Sequence, residues 1–393
     1  MMKPLDIAIA GCGVAGLSVA ALLRAQGARV VIFDQFESPR PLGSGIIMQP
    51  VGMAVLDEIG CGDALRALGA PITRLHGRNT PGQNVVLDVR YDARGANAEC
   101  GLGVHRGALF QVLYDAARAA GADIESGRSI ASASDGRLHF TGGTQSARFD
   151  LVIDALGARS PLSTPAEHPL PFGALWASLD WHEGFAPDAL EQRYLDARKM
   201  AGVMPIGRLQ GRARNQAAFF WSLKHEARDA WAAADLDAWK AEVRALWPAT
   251  EPLLAQINSH DDLVFAVYSH RTLSSPLSRD VVHVGDSWHT TSPQLGQGAN
   301  MALLDALALA RALTWQTDLH AALDEYARLR LWHIRLYQTA SWMFTPAYQS
   351  DSKAFALLRD WIMAPISRIP PAPQILAGLV AGQIGAPLSA MRD

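Results

Sequence analysis

The sequence is poor in cysteine, with three in 393 residues: Cys12, Cys61 and Cys100. They are far apart, odd in number and form no C-x-x-C pair. Neither a disulfide framework nor a thiolate metal site is indicated, and a reducing, cytoplasmic setting is expected. An excess of one charge is also missing. The 35 basic and 38 acidic side chains leave a formal net charge of −3, with no long block of like charge. Nucleic acid, which needs a concentrated basic face, is therefore not an expected partner. No apolar run reaches the ~18–20 residues of a transmembrane helix. The N-terminal run Ile7–Ala10 passes straight into a glycine turn, so it reads as part of a fold rather than as a signal peptide. The 12 histidines include no H-E-x-x-H, and neither a catalytic triad nor a metal cluster is evident.

What the chain does have is apolar content, at 49%, enough for one large core or two fused ones. There are no repeats and no low-complexity tract. The first segment predicts strand, tight turn, helix, strand: Leu5–Ala10, Gly11–Gly16, Leu17–Gln26, Arg29–Asp34. Such a βαβ unit belongs to a parallel sheet. A helix is expected over 106–121, closed by Gly121, with strands near 123–126, 137–140 and 150–154. Pro161, Pro165, Pro169 and Pro171 predict a linker. Beyond it, 174–180, 192–195, 200–205 and 216–223 alternate in the manner of an antiparallel sheet. Further expectations are a helix at 237–247, strands at 263–268 and 281–284, and helices at 299–313 and 319–341. The tail from 342 carries Trp342, Met343, Phe344, Trp361, Ile362 and Met363. It predicts a helical lid; a membrane-surface or partner-binding role is weaker, because few basic residues accompany it.

Gly11-Cys12-Gly13-Val14-Ala15-Gly16 is a G-x-G-x-x-G that follows a strand and opens a helix, the context in which this pattern means a dinucleotide. Gly11 permits the turn, Gly13 admits a pyrophosphate, and Gly16 lets helix and strand pack. The free N–H groups of Val14 and Ala15 face the phosphate charge. Asp34 ends the second strand, where a carboxylate can accept bonds from a ribose hydroxyl. On its own the motif leaves NAD and FAD open.

A second segment decides between them. Residues 285–306 read Gly-Asp-Ser-Trp-His-Thr-Thr-Ser-Pro-Gln-Leu-Gly-Gln-Gly-Ala-Asn-Met-Ala-Leu-Leu-Asp-Ala. This closely resembles the G-D-A-A-H-x-x-x-P-x-x-G-Q-G-x-N-x-A-x-x-D-A signature of the FAD-dependent aromatic hydroxylases, the para-hydroxybenzoate hydroxylase-like, group A flavoprotein monooxygenases. The resemblance implies an α/β fold. A Rossmann-like FAD-binding domain (1–165 and 270–345) would carry an inserted antiparallel-sheet substrate domain (166–269) and a helical C-terminal tail (346–393). It implies that Asp286 holds the ribityl chain, and that Pro293 and the turn through Gly296, Gly298, Ala299 and Asn300 border the isoalloxazine ring. It also places Arg40 and Arg106 near the FAD, Ile46 on a strand beside the flavin, and Gly157 in the last FAD loop. One position departs from the family: Leu156 stands where relatives have an aspartate that helps place FAD and NAD(P)H.

The activity implied is oxygenation of an electron-rich aromatic molecule by a flavin hydroperoxide, with NAD(P)H as transient donor and O2 as co-substrate. Leu156 brings in a partner flavin reductase as another electron source. Met204, Phe219, Trp221, Tyr268 and His289 are the candidate pocket residues. His289 and Pro293 are also candidates for the chemistry, although support of the FAD loop suits His289 better. His225 and His270 are the remaining candidate bases. Two other readings compete: a flavin reductase or dehydrogenase acting on an isoprenoid or polyene, and a non-catalytic or maturation-type FAD-binding subunit.

Overall fold

The computed structural model describes residues 3–38, 44–163 and 168–392. Arg40, Gly43 and Pro165 lie outside the described residues. Strands with an unbroken apolar run need cover on both faces, and three such strands, each with a charged residue only at one end, make the centre of a parallel sheet. Its order is Val282–His283, Leu151–Asp154, Asp6–Ala10, Arg29–Phe33, Asp123–Glu125. The helices Val14–Ala25, Arg106–Ala119 and Gly298–Trp315 stack along it and form the largest buried cluster with it.

The second sheet has seven strands: Val264–Ala266, Phe172–Asp180, Gln216–Lys224, Lys199–Pro205, Ala189–Leu195, Arg74–Asn79 and Val85–Arg90. Its last two strands come from within residues 1–165, a span expected to serve FAD alone. Ala189–Leu195 pairs with Arg74–Asn79 in parallel, so the sheet is not purely antiparallel. The predicted strand at 263–268 is cut short at Ala266, and Ser269–Thr272 joins a different, three-stranded sheet. Alternation along Gln216–Lys224 separates two environments. Ala217, Phe219 and Trp221 pack against Trp239, Val243 and Trp247 of a helical layer. Ala218 and Phe220 face the other way, toward Met200, Met204 and the tail residues Ala377 and Val380.

The helix expected over 319–341 runs from Leu319 to Tyr348. Beyond it the tail folds into Lys353–Leu358, a π-helical turn Arg359–Met363, and Ala372–Val380. Among the described residues, no helix is long and apolar enough to cross a membrane.

Where these parts meet, the Asp305 carboxylate is fully buried. Asp305 accepts from Arg330 Nε at 2.8 Å, from the Gly285 N–H at 2.8 Å, and meets His289 Nε2 at 2.6 Å. Arg330 also donates to His333 Nδ1 at 3.0 Å, and His333 Nε2 donates to the Gly382 carbonyl at 3.3 Å. Burial raises the Asp305 pKa, but His289 and Arg330 outweigh it and hold the carboxyl below its usual value. Breaking such a pair leaves an uncompensated buried charge, so Arg330→Met is expected to lose about 3–5 kcal/mol, read from the denaturant midpoint. Burial, helped by the Arg330 charge, pushes His333 down to about 3. Between its ordinary pKa of 6.5 and that value, the unfolded chain binds a proton that the folded chain refuses. Stability therefore falls as pH drops through this window. Thermal melts from about pH 7 to about 4.5 should show a steep loss in the native chain and a shallower one in His333→Asn.

Candidate active site

Ligands of open α/β sheets sit beyond the carboxyl ends of the strands, and a cavity of about 1180 Å³ opens there. Gly11 follows the first strand, Asp34 the second, and Ala155 the Leu151–Asp154 strand; all three line the cavity. Its floor continues along Ile46, Asp286, Pro293, Gly296, Gly298 and Ala299, and its far end reaches the second sheet and the tail.

The glycine turn is built for close approach. Gly11 has φ +107°, and a Cβ there would lie 2.5 Å from the Ala155 carbonyl oxygen. A Cβ on Gly16 would lie 2.0 Å from the Gly11 oxygen. A Cβ on Gly13 would meet nothing within 4 Å and would instead fill the cavity. No side chain caps the helix that Gly13 opens, so its N–H groups are left for an anion. Asp34 accepts the Cys12 N–H at 2.7 Å and the Phe36 N–H at 3.2 Å, which fixes the carboxylate at the cavity wall. Burial, with Asp34 adding to it, pushes the Cys12 thiol up to about 12 and keeps it unreactive. At the other loop, the Gly298–Trp315 helix also begins without a side-chain cap. These donors and the open cradle at Gly13 fit a dinucleotide.

The cavity brings together Gly11, Gly13, Val14, Ala15, Asp34, Ile46, Arg106, Gly157, Asp286, Pro293, Gly296, Gly298, Ala299, Met204 and Tyr268 of the predicted residues. Gly16 packs between helix and strand, the role its place in the motif implies, and does not line the cavity. Several others are corrected. Asn300 is buried and turned to the Gly45–Met48 strand; it accepts from Gln49 N at 2.8 Å and donates to the Ile47 carbonyl at 3.2 Å. His289 is held by Asp305 away from the cavity. Phe219 and Trp221 lie on the wrong face of their strand, and Phe220 lines the cavity in their place. His225 is exposed against the Phe265 ring, and neither it nor His270 borders the cavity. Among the described residues no histidine lines it, and no group of side chains could hold a metal ion. The sequence reading also missed Arg128, Trp176, Gln192, Tyr194, Tyr348 and Gln349. The strand alternation that puts Phe220 inward also puts Trp176 inward, its cross-strand partner.

A family model described as "FAD binding domain" matches residues 4–336. The chain belongs to this family of FAD-dependent aromatic hydroxylases and monooxygenases. FAD is the flavoprotein's cofactor. It is 29% identical over 350 residues to 3-amino-4-hydroxybenzoate 2-monooxygenase from Streptomyces cremeus, covering 84% of each chain. It is 25% identical to an FAD-dependent urate hydroxylase from Klebsiella pneumoniae, over 83% of this chain and 86% of that one. In fold it is similar to Klebsiella pneumoniae HpxO complexed with FAD and uric acid, with TM-score 0.80, 21% identity and 98% of both chains covered.

Two glycine variants separate folding from FAD binding. Gly13→Val, at a position with φ −93° and open space, should fold normally and lose FAD, read from the loss of flavin absorbance and a Tm equal to that of the native protein stripped of FAD. Gly11→Ala collides with backbone at positive φ and should lower Tm itself.

Proposed function

We propose that this protein hydroxylates an electron-rich aromatic small molecule, with electrons from NAD(P)H and oxygen from O2. The observation that carries the reading is the continuity of the cavity. It joins the glycine cradle to a chamber walled by Trp176, Met204, Phe220 and Tyr268. Bound FAD would supply the redox chemistry and oxygen activation, leaving position, dryness and charge to the protein.

Each part of the chain has a role in that scheme. The backbone at Gly13–Ala15 would hold the pyrophosphate and Asp34 a ribose hydroxyl. Asp286 would hold the ribityl chain, and Arg106 adds positive charge nearby. The uncapped helix start at Gly298 and Ala299 would hold negative charge on the flavin ring. Pro293, which opens its short helical turn, would form a rigid edge against the ring. In the chamber, Trp176 Nε1 donates to the Tyr268 hydroxyl oxygen at 3.1 Å. Burial raises the Tyr268 pKa, so the phenol keeps its proton and can donate it to a substrate oxygen. The aromatic walls exclude water from the reacting centre.

The division of labour follows the same lines. Residues 1–165 and 270–345 serve FAD, 166–269 with the 74–90 hairpin serve the substrate, and the tail from 346 closes the chamber. The three free cysteines support a reducing, cytoplasmic location. Leu156 favours a second version of electron supply. It lines the cavity, and its backbone N–H is bound to Asp154 Oδ1 at 3.0 Å. Its apolar side chain offers nothing polar to NAD(P)H, which supports delivery by a separate reductase.

The test is a visible spectrum followed by NAD(P)H oxidation and O2 uptake with a panel of phenols and hydroxylated heteroarenes. The expected result is a yellow protein whose oxidation of NAD(P)H is stimulated by at least one aromatic and yields a product one oxygen heavier. FAD that stays oxidised with NAD(P)H, yet supports hydroxylation when a reductase is added, assigns the partner version. Oxidation of a substrate without O2 consumption would overturn the hydroxylase reading.

A further inference from the structure

We propose that the chamber beneath the tail binds a neutral aromatic ring with an adjacent hydrogen-bond donor and acceptor, such as a cyclic amide, and that Gln349 reads this polar edge while an apolar substituent leaves along the tail. The inference rests on the hydroxylase reading for what happens to the ring; the binding itself does not depend on turnover.

Gln349 is 5% exposed and lines the cavity. Neither its Oε1 nor its Nε2 has a hydrogen-bond partner among the described residues. Buried amides are almost always paired, and leaving both ends unmet is unfavourable. The backbone around it is firmly held. Its own N–H donates to the Thr345 carbonyl at 2.8 Å, and the next N–H, of Ser350, donates to the Ala197 carbonyl at 3.0 Å. The side chain thus presents one acceptor and one donor side by side from a fixed position. A ligand edge with N–H and C=O adjacent satisfies both. The nearby polar groups are already engaged: Tyr194 donates to Gln192 Oε1 at 2.8 Å, and Gln192 Nε2 donates to Met200 Sδ at 3.1 Å.

Charge supports a neutral ligand. The cations that line the cavity belong by chain position to its FAD end. Arg128 N–H donates to the Asp34 carbonyl, Arg106 N–H to the Ser44 carbonyl, and Arg159 follows Gly157. On the sheet and tail side, the charged side chain among the described lining residues is Asp88, which Arg74 binds at 2.7 and 2.9 Å. Arg359 is fully buried behind the wall, 4.9 Å from the Tyr194 ring and 5.7 Å from the Tyr348 ring. Its Nε is bound to Asp360 at 2.7 Å and its Nη1 to the carbonyls of Asp196 and Ala347; its Nη2 is buried without a partner among the described residues, and the guanidinium does not line the cavity. A carboxylate in the chamber would be desolvated with no cation among the described lining residues on that side.

The exit is apolar. Ile362, Ile366 and Ile375 line the cavity and are also 51%, 56% and 53% exposed. They mark a mouth between chamber and solvent. The π-turn Arg359–Met363 places Ile362 and Met363 on that passage. A chain laid there would bury methylenes against three isoleucines that are otherwise wet.

The experiment titrates the FAD-loaded protein and follows the flavin absorbance change and binding heat. The probes are quinolin-2-one, its N-methyl derivative, its carboxylated derivative, and a hexyl-substituted quinolin-2-one. The lactam is expected to bind at least about tenfold tighter than the N-methyl and carboxylate forms, and each buried methylene of the chain to tighten it by about threefold. Gln349→Leu should abolish the preference for the lactam over its N-methyl form, with the FAD spectrum unchanged; Gln349→Glu provides a polar variant of the same size, expected to weaken the lactam as well. Equal binding of lactam and carboxylate, or a lactam preference that survives in Gln349→Leu, overturns the proposal. Because FAD content is read in the same samples, such a failure leaves the FAD site standing. Tight lactam binding with no oxygenated product supports the proposal and counts against the hydroxylase reading alone.

Discussion

The buried carboxylate of Asp305 is the point on which the site hangs. A charge with no solvent must be matched on every side, and here the matching groups come from separate parts of the chain. Gly285 belongs to the loop that carries Asp286, and His289 to the turn leading to Pro293. Arg330 belongs to the long helix, and it links through His333 to the tail at Gly382. Ser292 adds a second tie beside the first, meeting the Ser341 and Thr345 hydroxyls at 2.7 Å each. The 285–297 loop, proposed above to face the flavin ring, and the helix that ends in Tyr348, next to Gln349, are thus fastened to each other. Preorganisation of this kind is what a flavoprotein must supply, since the cofactor brings the reactivity.

The cavity has a division of charge that follows from the fold. Its FAD end is made from strand termini and helix starts, where backbone N–H groups and arginines collect. Its other end is made from the inward face of a sheet and from an apolar tail. A dianionic dinucleotide and a neutral ring would each find the surroundings they need in one continuous space.

The FAD half of this picture was legible in the sequence. The glycine turn works through backbone geometry, so Gly11, Gly13 and Asp34 can be read from spacing alone. The 285–306 segment adds the flavin end through its resemblance. Within that segment His289 holds the loop, the role that suited it better, whereas Asn300 is a fastener rather than lining, because a pattern of residues does not say which way a side chain faces. The substrate half was less legible. Alternation in Gln216–Lys224 gives two faces but not which one meets the ligand, since both are apolar: one packs on Trp239 and Trp247, the other on the cavity. Phe219 and Trp221 face the helical layer, and Phe220 between them is the one inside. The hairpin at 74–90 and Gln349 were missed because each joins the chamber through contacts distant in sequence. For Arg40, outside the described residues, the expectation stands as a proposal only.

The most direct measurement is a crystal structure of the FAD-loaded protein. The account predicts the pyrophosphate against Gly13–Ala15, the adenosine ribose at Asp34, and the isoalloxazine ring between Pro293 and the start of the Gly298–Trp315 helix, with its open face toward Trp176 and Phe220. A flavin ring placed elsewhere, or a dinucleotide that leaves the Gly13 cradle empty, would contradict it.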